Sequence, residues 1–258
     1  MTTPPGGPAL LRDPARAGVA EAAVPFVKSG MSIGLGSGRA VWALIELLSR
    51  RAWDPPLAVV TASSTTERLA RSAGFELFEL DGKRTIEVVI DGADEIDDAL
   101  DLIKGQGAAL LREKLLVVDA ERFVVIAEAS KRVRRLGETQ TLPIEVVRFG
   151  WPATNRRLGD LLPKLVLRTH SDGTPVVTDE GNLLLDATLP ADCDLPALAA
   201  AIVRTVGVIE HGLFLGMSDD VLLGAPDGRV EHHTNESARA PRHQPQPPWS
   251  RGSAPIAD

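Results

Sequence analysis

Three carboxylates gather around one glycine where an apolar run stops, in Val89-Ile90-Asp91-Gly92-Ala93-Asp94-Glu95-Ile96. Ten residues after Asp94 comes Lys104-Gly105-Gln106-Gly107, and Glu113 follows between Arg112 and Lys114. Carboxylates at a strand end, an ammonium on the next loop and a carboxylate on a helix are the parts needed to move protons on a small anionic molecule. Lys104 beside glycine backbone suits close approach to an oxyanion. Glu113 has a reference pKa of ~4.3, which makes it an ionised base at neutral pH. Taken alone, Glu113 reads as a surface helix glutamate and Asp97-Asp98 as a solvated turn. Asp91 and Asp94 stand apart because a buried strand feeds them directly.

Two further stretches could hold an anion. Gly34-Leu35-Gly36-Ser37-Gly38 lies between a strand and a helix, where glycines aim unpaired N–H groups outward with the helix dipole behind them. It is not the dinucleotide fingerprint, because Arg39 occupies the third glycine's place and no acidic residue follows the next strand at the required distance. Ala129-Ser130-Lys131-Arg132 brings cations to the same edge of the sheet. His170 and His211 lack acidic or cysteine partners at ligand spacing, and Cys193 is the only cysteine, so no zinc set and no internal disulfide are expected.

The elements that must position these groups alternate. Asp13-Pro14 opens a helix that Gly30 closes, and strands are predicted over 31–36, 57–61, 75–80, 86–90 and 123–127. Helices are predicted over 40–48 and 108–118, with a third opened by the capping-box spacing Ser64-Thr65-Thr66-Glu67 and ended at Gly74. This is an α/β pattern, a Rossmann-like mostly parallel sheet under helices. From residue 142 the pattern reads as a second, smaller α+β unit of ferredoxin-like type. Its strands are predicted over 142–149, 165–170, 176–178 and 182–186, with a hairpin turn at Asp172-Gly173 and helices over 153–162 and 195–206. A strand over 221–223 is expected to return to the first sheet. The expected division is 10–141 plus 208–231 for the Rossmann-like unit and 142–207 for the small one. Residues 1–9 and 232–258, rich in Pro, Gly, Ser, His and Arg, are expected to be disordered.

The chain has 258 residues, 44% apolar and 24% charged, as a globular protein does. No apolar stretch approaches the ~20 residues a bilayer needs. Met1–Ala9 lacks the basic start of a signal peptide, so the expected location is the cytoplasm. A net charge of −7 argues against general attraction to nucleic acid. Any phosphate must therefore be met locally, by basic side chains and backbone N–H groups.

In this order and spacing the pieces resemble ribose-5-phosphate isomerase type A, over roughly residues 12–229. The likeness rests on Gly34-Leu35-Gly36-Ser37-Gly38, Thr61-Ala62-Ser63-Ser64, Asp91-Gly92-Ala93-Asp94-Glu95-Ile96, Lys104 to Lys114 and Ala129-Ser130-Lys131. It continues through Pro143-Ile144-Glu145-Val146, Thr178-Asp179-Glu180-Gly181-Asn182 and Gly224-Ala225-Pro226-Asp227-Gly228. The resemblance implies interconversion of ribose 5-phosphate and ribulose 5-phosphate without metal or organic cofactor, by a cytoplasmic homo-oligomer, a dimer or dimer of dimers. It implies that Glu113 shuttles a proton between C1 and C2 through an enediolate, while Asp91, Asp94 and Lys104 open the furanose ring and stabilise the oxyanion. Ser37, Lys131 and Arg16 would hold substrate, chiefly its phosphate, with Gly38, Arg39, Ala40, Gly92, Ala93, Gly105, Gln106 and Gly107 also contacting it.

The chain departs from the family at two places. Arg39 and Ala40 stand where two hydroxyl residues are usual, and Gln106 replaces the middle glycine of a lysine-plus-three-glycines run. Arg39 is expected to grip phosphate, and Gln106 to narrow the pocket or touch a sugar hydroxyl. These departures bear on which sugar phosphate is preferred, so an isomerase of a different sugar phosphate is one alternative. A sensor that binds sugar phosphate without catalysis is another, although no basic DNA-reading module is evident. An acyl- or CoA-transferase is a third; it would want a nucleotide pocket, of which the interval from Gly107 to Glu113 gives no sign.

Overall fold

The computed structural model describes residues 10–235; the expectations for 1–9 and 236–258 lie outside the described residues. Helices α1 (Pro14–Ala23), α2 (Arg39–Ser49) and α3 (Ser64–Ser72) alternate with strands β1 (Ser32–Leu35), β2 (Ala58–Thr61), β3 (Glu76–Leu77) and β4 (Val88–Asp91). Short strands β5 (Glu95–Ile96) and β6 (Leu102–Ile103) precede α4 (Leu110–Val118), and β7 (Phe123–Glu128) follows it. Next come β8 (Leu142–Val146), α5 (Trp151–Leu158), β9 (Leu165–Leu167), β10 (Leu183–Ala187), α6 (Leu195–Arg204) and β11 (Val208–His211). The described chain closes with β12 (Leu213–Phe214), β13 (Asp220–Gly224) and β14 (Val230–Thr234).

Seven strands form the main sheet in the order β14-β13-β7-β4-β1-β2-β3, parallel except for β14. Strands β4 and β7 are buried apolar runs up to a last acidic residue, and β1 buries Ile33 and Leu35, as strands covered on both faces must. From β1 the chain moves outward through β2 and β3, then returns to place β4 on the other side of β1. The carboxyl ends of β1 and β4 therefore flank a topological switch point, where open α/β sheets leave a crevice. The predicted Rossmann-like sheet and the return of β13 to it are both observed.

The smaller sheet, β11-β8-β10-β9, is antiparallel and carries α5 and α6. Four strands were expected, but one is different. Residues 176–178 make only isolated bridges, and β11, beyond the expected boundary at 207, is the fourth strand. A three-stranded sheet, β12-β6-β5, sits between the two.

Other boundaries moved for local reasons. Helix α1 stops at Ala23 and tightens into a 3-10 turn over Val24–Phe26, because Pro25 cannot donate the next helical hydrogen bond. The cap of α3 is Ser63, whose hydroxyl accepts from Thr66 N–H at 3.1 Å, so Ser64 is already helical. Residues 232–234, expected to be disordered, belong to β14, which pairs along all of β13; His232 packs edge-on against Phe26 with ring centroids 5.9 Å apart.

Candidate active site

Asp91 ends β4 and is fully buried. Its Oδ1 accepts from Ser37 N–H at 3.0 Å and from Gly92 N–H at 2.7 Å, tying the loop after β1 to the loop after β4. Glycine at position 36 makes the room, since a Cβ there would lie 1.8 Å from Asp91 Cγ. Lys104 follows β6 and is fixed by its backbone, which donates to Gly212 O at 2.9 Å. Its Nζ donates to Gly92 O at 2.7 Å and sits 2.8 Å from Asp91 Oδ2 and 3.2 Å from Glu113 Oε2. Glu113 occupies the first turn of α4 and is only 4% exposed, not the surface glutamate that sequence statistics favour. Asp94 accepts from Gln106 N–H at 3.0 Å. The turn from Lys104 into α4 needs left-handed backbone at Gly105 (φ 105°) and at Ala108 (φ 61°).

One ammonium thus stands between two buried carboxylates. Burial, then the charge of Asp91, push Glu113 up from 4.5 to about 8 against the pull of Lys104. Burial also raises Asp91, with Lys104 opposing it. Burial pulls Lys104 down, but Asp91 and Glu113 outweigh it and the lysine is raised. The reference value behind the expectation of an ionised Glu113 is therefore not the one its surroundings favour. Burial works against its ionised form, while the two carboxylates beside Lys104 favour the charged ammonium.

Lys104, Glu113 and Asp94 face a cavity of about 240 Å³. Of the expected site residues, Ser37, Gly38, Arg39, Ala40, Gly92, Ala93, Asp94, Lys104, Gly105, Gly107, Glu113 and Lys131 line it. Its far end is the N-terminus of α2. Gly38 caps that helix with φ 112° and no side-chain acceptor, so the first-turn N–H groups are open to an anion. Lys131, at the end of the 3-10 turn after β7, and exposed Arg39 add positive charge there.

Three expected residues sit elsewhere. Asp91 lies beneath the cavity wall and reaches it through Lys104 and Ser37. Arg16 is 7% exposed and does not line the cavity; its guanidinium meets Glu128 at 2.8 Å and Leu10 O at 3.4 Å. Gln106 neither narrows the cavity nor faces it. Its side chain turns outward, donating to Thr141 O at 3.0 Å and accepting from Arg168 at 3.4 Å.

The sequence reading missed Trp42, Ile126, Ala127 and Glu128, which also line the cavity. Trp42 lies three residues after Arg39 on the same helix face, a spacing that could have flagged it, and its indole donates to Thr66 Oγ1 at 3.1 Å. Glu128 directly precedes the cationic stretch already singled out, and Arg16 balances its charge at the rim. On the other side of α4, Lys114 donates to Glu210 at 2.9 Å and to His211 O at 2.6 Å, 4.7 Å above the Phe214 ring. A larger recess of about 610 Å³ between α3 and α4 contains none of Asp91, Asp94, Lys104 and Glu113.

The profile of the family described as ribose 5-phosphate isomerase A (phosphoriboisomerase A) matches residues 58–228. A ribose-5-phosphate isomerase A of Roseiflexus castenholzii is 48% identical over 223 residues, covering 85% of this chain and 95% of the relative. The solved ribose 5-phosphate isomerase of Plasmodium falciparum superposes with a TM-score of 0.82 at 31% identity, covering 86% of this chain and 98% of that one. A D-ribose-5-phosphate isomerase solved in complex with phospho-erythronic acid gives a TM-score of 0.80 at 33% identity, again covering 86% and 98%.

Proposed function

The chain belongs to the ribose 5-phosphate isomerase A family, and we propose that its interconversion of ribose 5-phosphate and ribulose 5-phosphate runs on Glu113 as the base. The observation that carries this is the buried line Glu113–Lys104–Asp91 in the wall of a cavity whose other end is built for an anion. The phosphate, with about −1.5 to −2 charges, rests on the α2 N-terminus, Lys131 and Arg39. The sugar then extends toward Lys104. With Asp94 and Lys104 around C1 and Asp91 holding Lys104 from beneath, the C1 hydroxyl proton leaves, the ring C1–O bond breaks and the ring oxygen gains a proton, which gives the open aldehyde. Glu113 takes the proton from C2 and the electron pair moves through C1 to the carbonyl oxygen, beside the Lys104 ammonium. Glu113 then returns its proton to C1 while the O2 proton passes to O1, which leaves the ketone at C2. A carboxylate in the cavity wall, 3.2 Å from an ammonium and with its proton affinity raised by burial, favours catalysis over a binding-only sensor. The bound phospho-erythronic acid of the structural relative supports a hydroxylated phosphate as ligand.

Glu113→Gln keeps the shape and removes the base. Its kcat on ribose 5-phosphate is expected to fall by roughly 10²–10⁴ while substrate still binds, and a variant within threefold of the parent rejects the assignment. We further place the protein in the cytoplasm as a homo-oligomer that binds no nucleic acid. The oligomer is supported by Phe149 and Val206, exposed by 95% and 76%, at an end of the small sheet where Val147 N–H bonds Gly207 O.

A further inference from the structure

Arg168, just beyond β9, lies outside the cavity wall, yet it grips the loop that carries Lys104. Its Nη1 donates to Gly105 O at 2.8 Å and to Gln106 O at 3.2 Å. From behind, Asp186 of β10 holds the same guanidinium through Nε at 2.9 Å and through Nη2. Nη2 also reaches Gln106 Oε1, and the Gln106 amide continues to Thr141 O. A fork of five donors can hold two carbonyls and a carboxylate at once; an ammonium cannot do so in one plane.

The carbonyl and N–H of a trans peptide point in opposite directions. Pinning Gly105 O to Arg168 therefore turns Gln106 N–H the other way, where it donates to cavity-lining Asp94 at 3.0 Å. Pinning Gln106 O likewise turns Gly107 N–H away from Arg168, and Gly107 lines the cavity. We propose that Arg168, backed by Asp186, is a positioning residue for the isomerisation: from the small sheet it sets the peptide planes of 105–107 and so aims both the Asp94 carboxylate and the Gly107 N–H at the reacting end of the sugar. The inference rests on the reading of the cavity given above. Gln106 strengthens the same latch from its side chain.

The test is steady-state kinetics of Arg168→Lys on ribose 5-phosphate, with competitive inhibition by inorganic phosphate as a probe of the other end of the cavity. Misplacing a reacting group by about 1 Å costs ~10² in rate. Arg168→Lys is expected to lose ~10- to 100-fold in kcat while the phosphate inhibition constant and KM stay within about threefold. Asp186→Asn, which leaves Arg168 in place, is expected to lose less in the same pattern; it carries the test if Arg168→Lys does not fold. A kcat within twofold of the parent overturns the proposal. So does a kcat loss matched by an equal loss of phosphate affinity, the mark of general disruption. A parent enzyme inactive on ribose 5-phosphate would break the reading of the cavity instead, so the two failures are distinguishable.

Discussion

The two ends of the cavity solve opposite problems with different materials. At the α2 end the donors are backbone N–H groups at a glycine cap, with Arg39 exposed to water. At the Lys104 end the charges are on side chains, and three of them are almost wholly buried; Asp91, Lys104 and Glu113 are 0%, 2% and 4% exposed. Backbone donors near solvent bind a permanent charge and tolerate changes of side chain around them. Desolvated charges change their proton affinity with every neighbour, which suits a group that must take up and release a proton. The difference teaches where substitutions will be felt: binding should degrade gently at one end, and chemistry steeply at the other.

The strongest challenge to that contrast is Lys104→Met. It removes the cation beside the developing oxyanion and leaves Asp91 and Glu113 facing each other. A kcat loss of at least ~10²–10³ is expected, the scale of a lost oxyanion donor. Loss of the lysine's pull should also move Glu113 further upward. A variant that kept its rate would show the ammonium to be structural.

The pH profile sharpens the comparison next. A base works when deprotonated, and Glu113 is raised to about 8. Hence kcat/KM should climb about tenfold per pH unit below that value and level off above it. In Lys104→Met the limb should lie at higher pH. A parental profile flat from pH 6 to 9 would contradict a buried glutamate base.

Arg39→Ala probes the gentle end and has the smallest expected effect. Its guanidinium is exposed and the helix N–H groups remain, so KM should rise by roughly three- to tenfold with kcat little changed. A fall in kcat with constant KM would place Arg39 at the chemistry and erase the contrast.

The sheet, the glycine turn and the carboxylates at its edge were legible because each is a local pattern: buried strand, turn, helix start. What escaped depends on distant neighbours. Arg16 has the right type and place for a phosphate ligand, but Glu128, far along the chain, claims its guanidinium. Gln106 faces away because Thr141 and Arg168 offer partners behind the loop. The raised proton affinity of Glu113 could not be read from a helix with Arg112 and Lys114 on either side, because it comes from burial under other elements and from the charge of Asp91 on one of them. Strand β14 was hidden by its composition, Val-Glu-His-His-Thr, which suits an edge strand and shows no apolar alternation. Strand β11 was hidden by the helix signal just before it, which made Gly207 look like an end instead of a link.

Neighbouring residues on a helix point about 100° apart, so the two that follow Arg112 cannot share a direction. Glu113 looks toward the cavity, while Lys114 is bolted to Glu210 and to the carbonyl of His211. That anchor fixes the roll of α4 about its long axis, much as a key in a shaft prevents slip. Loosening it would swing Glu113 along an arc away from Lys104 without changing any residue of the cavity wall, so the aim of the proposed base is guarded from the back of its own helix.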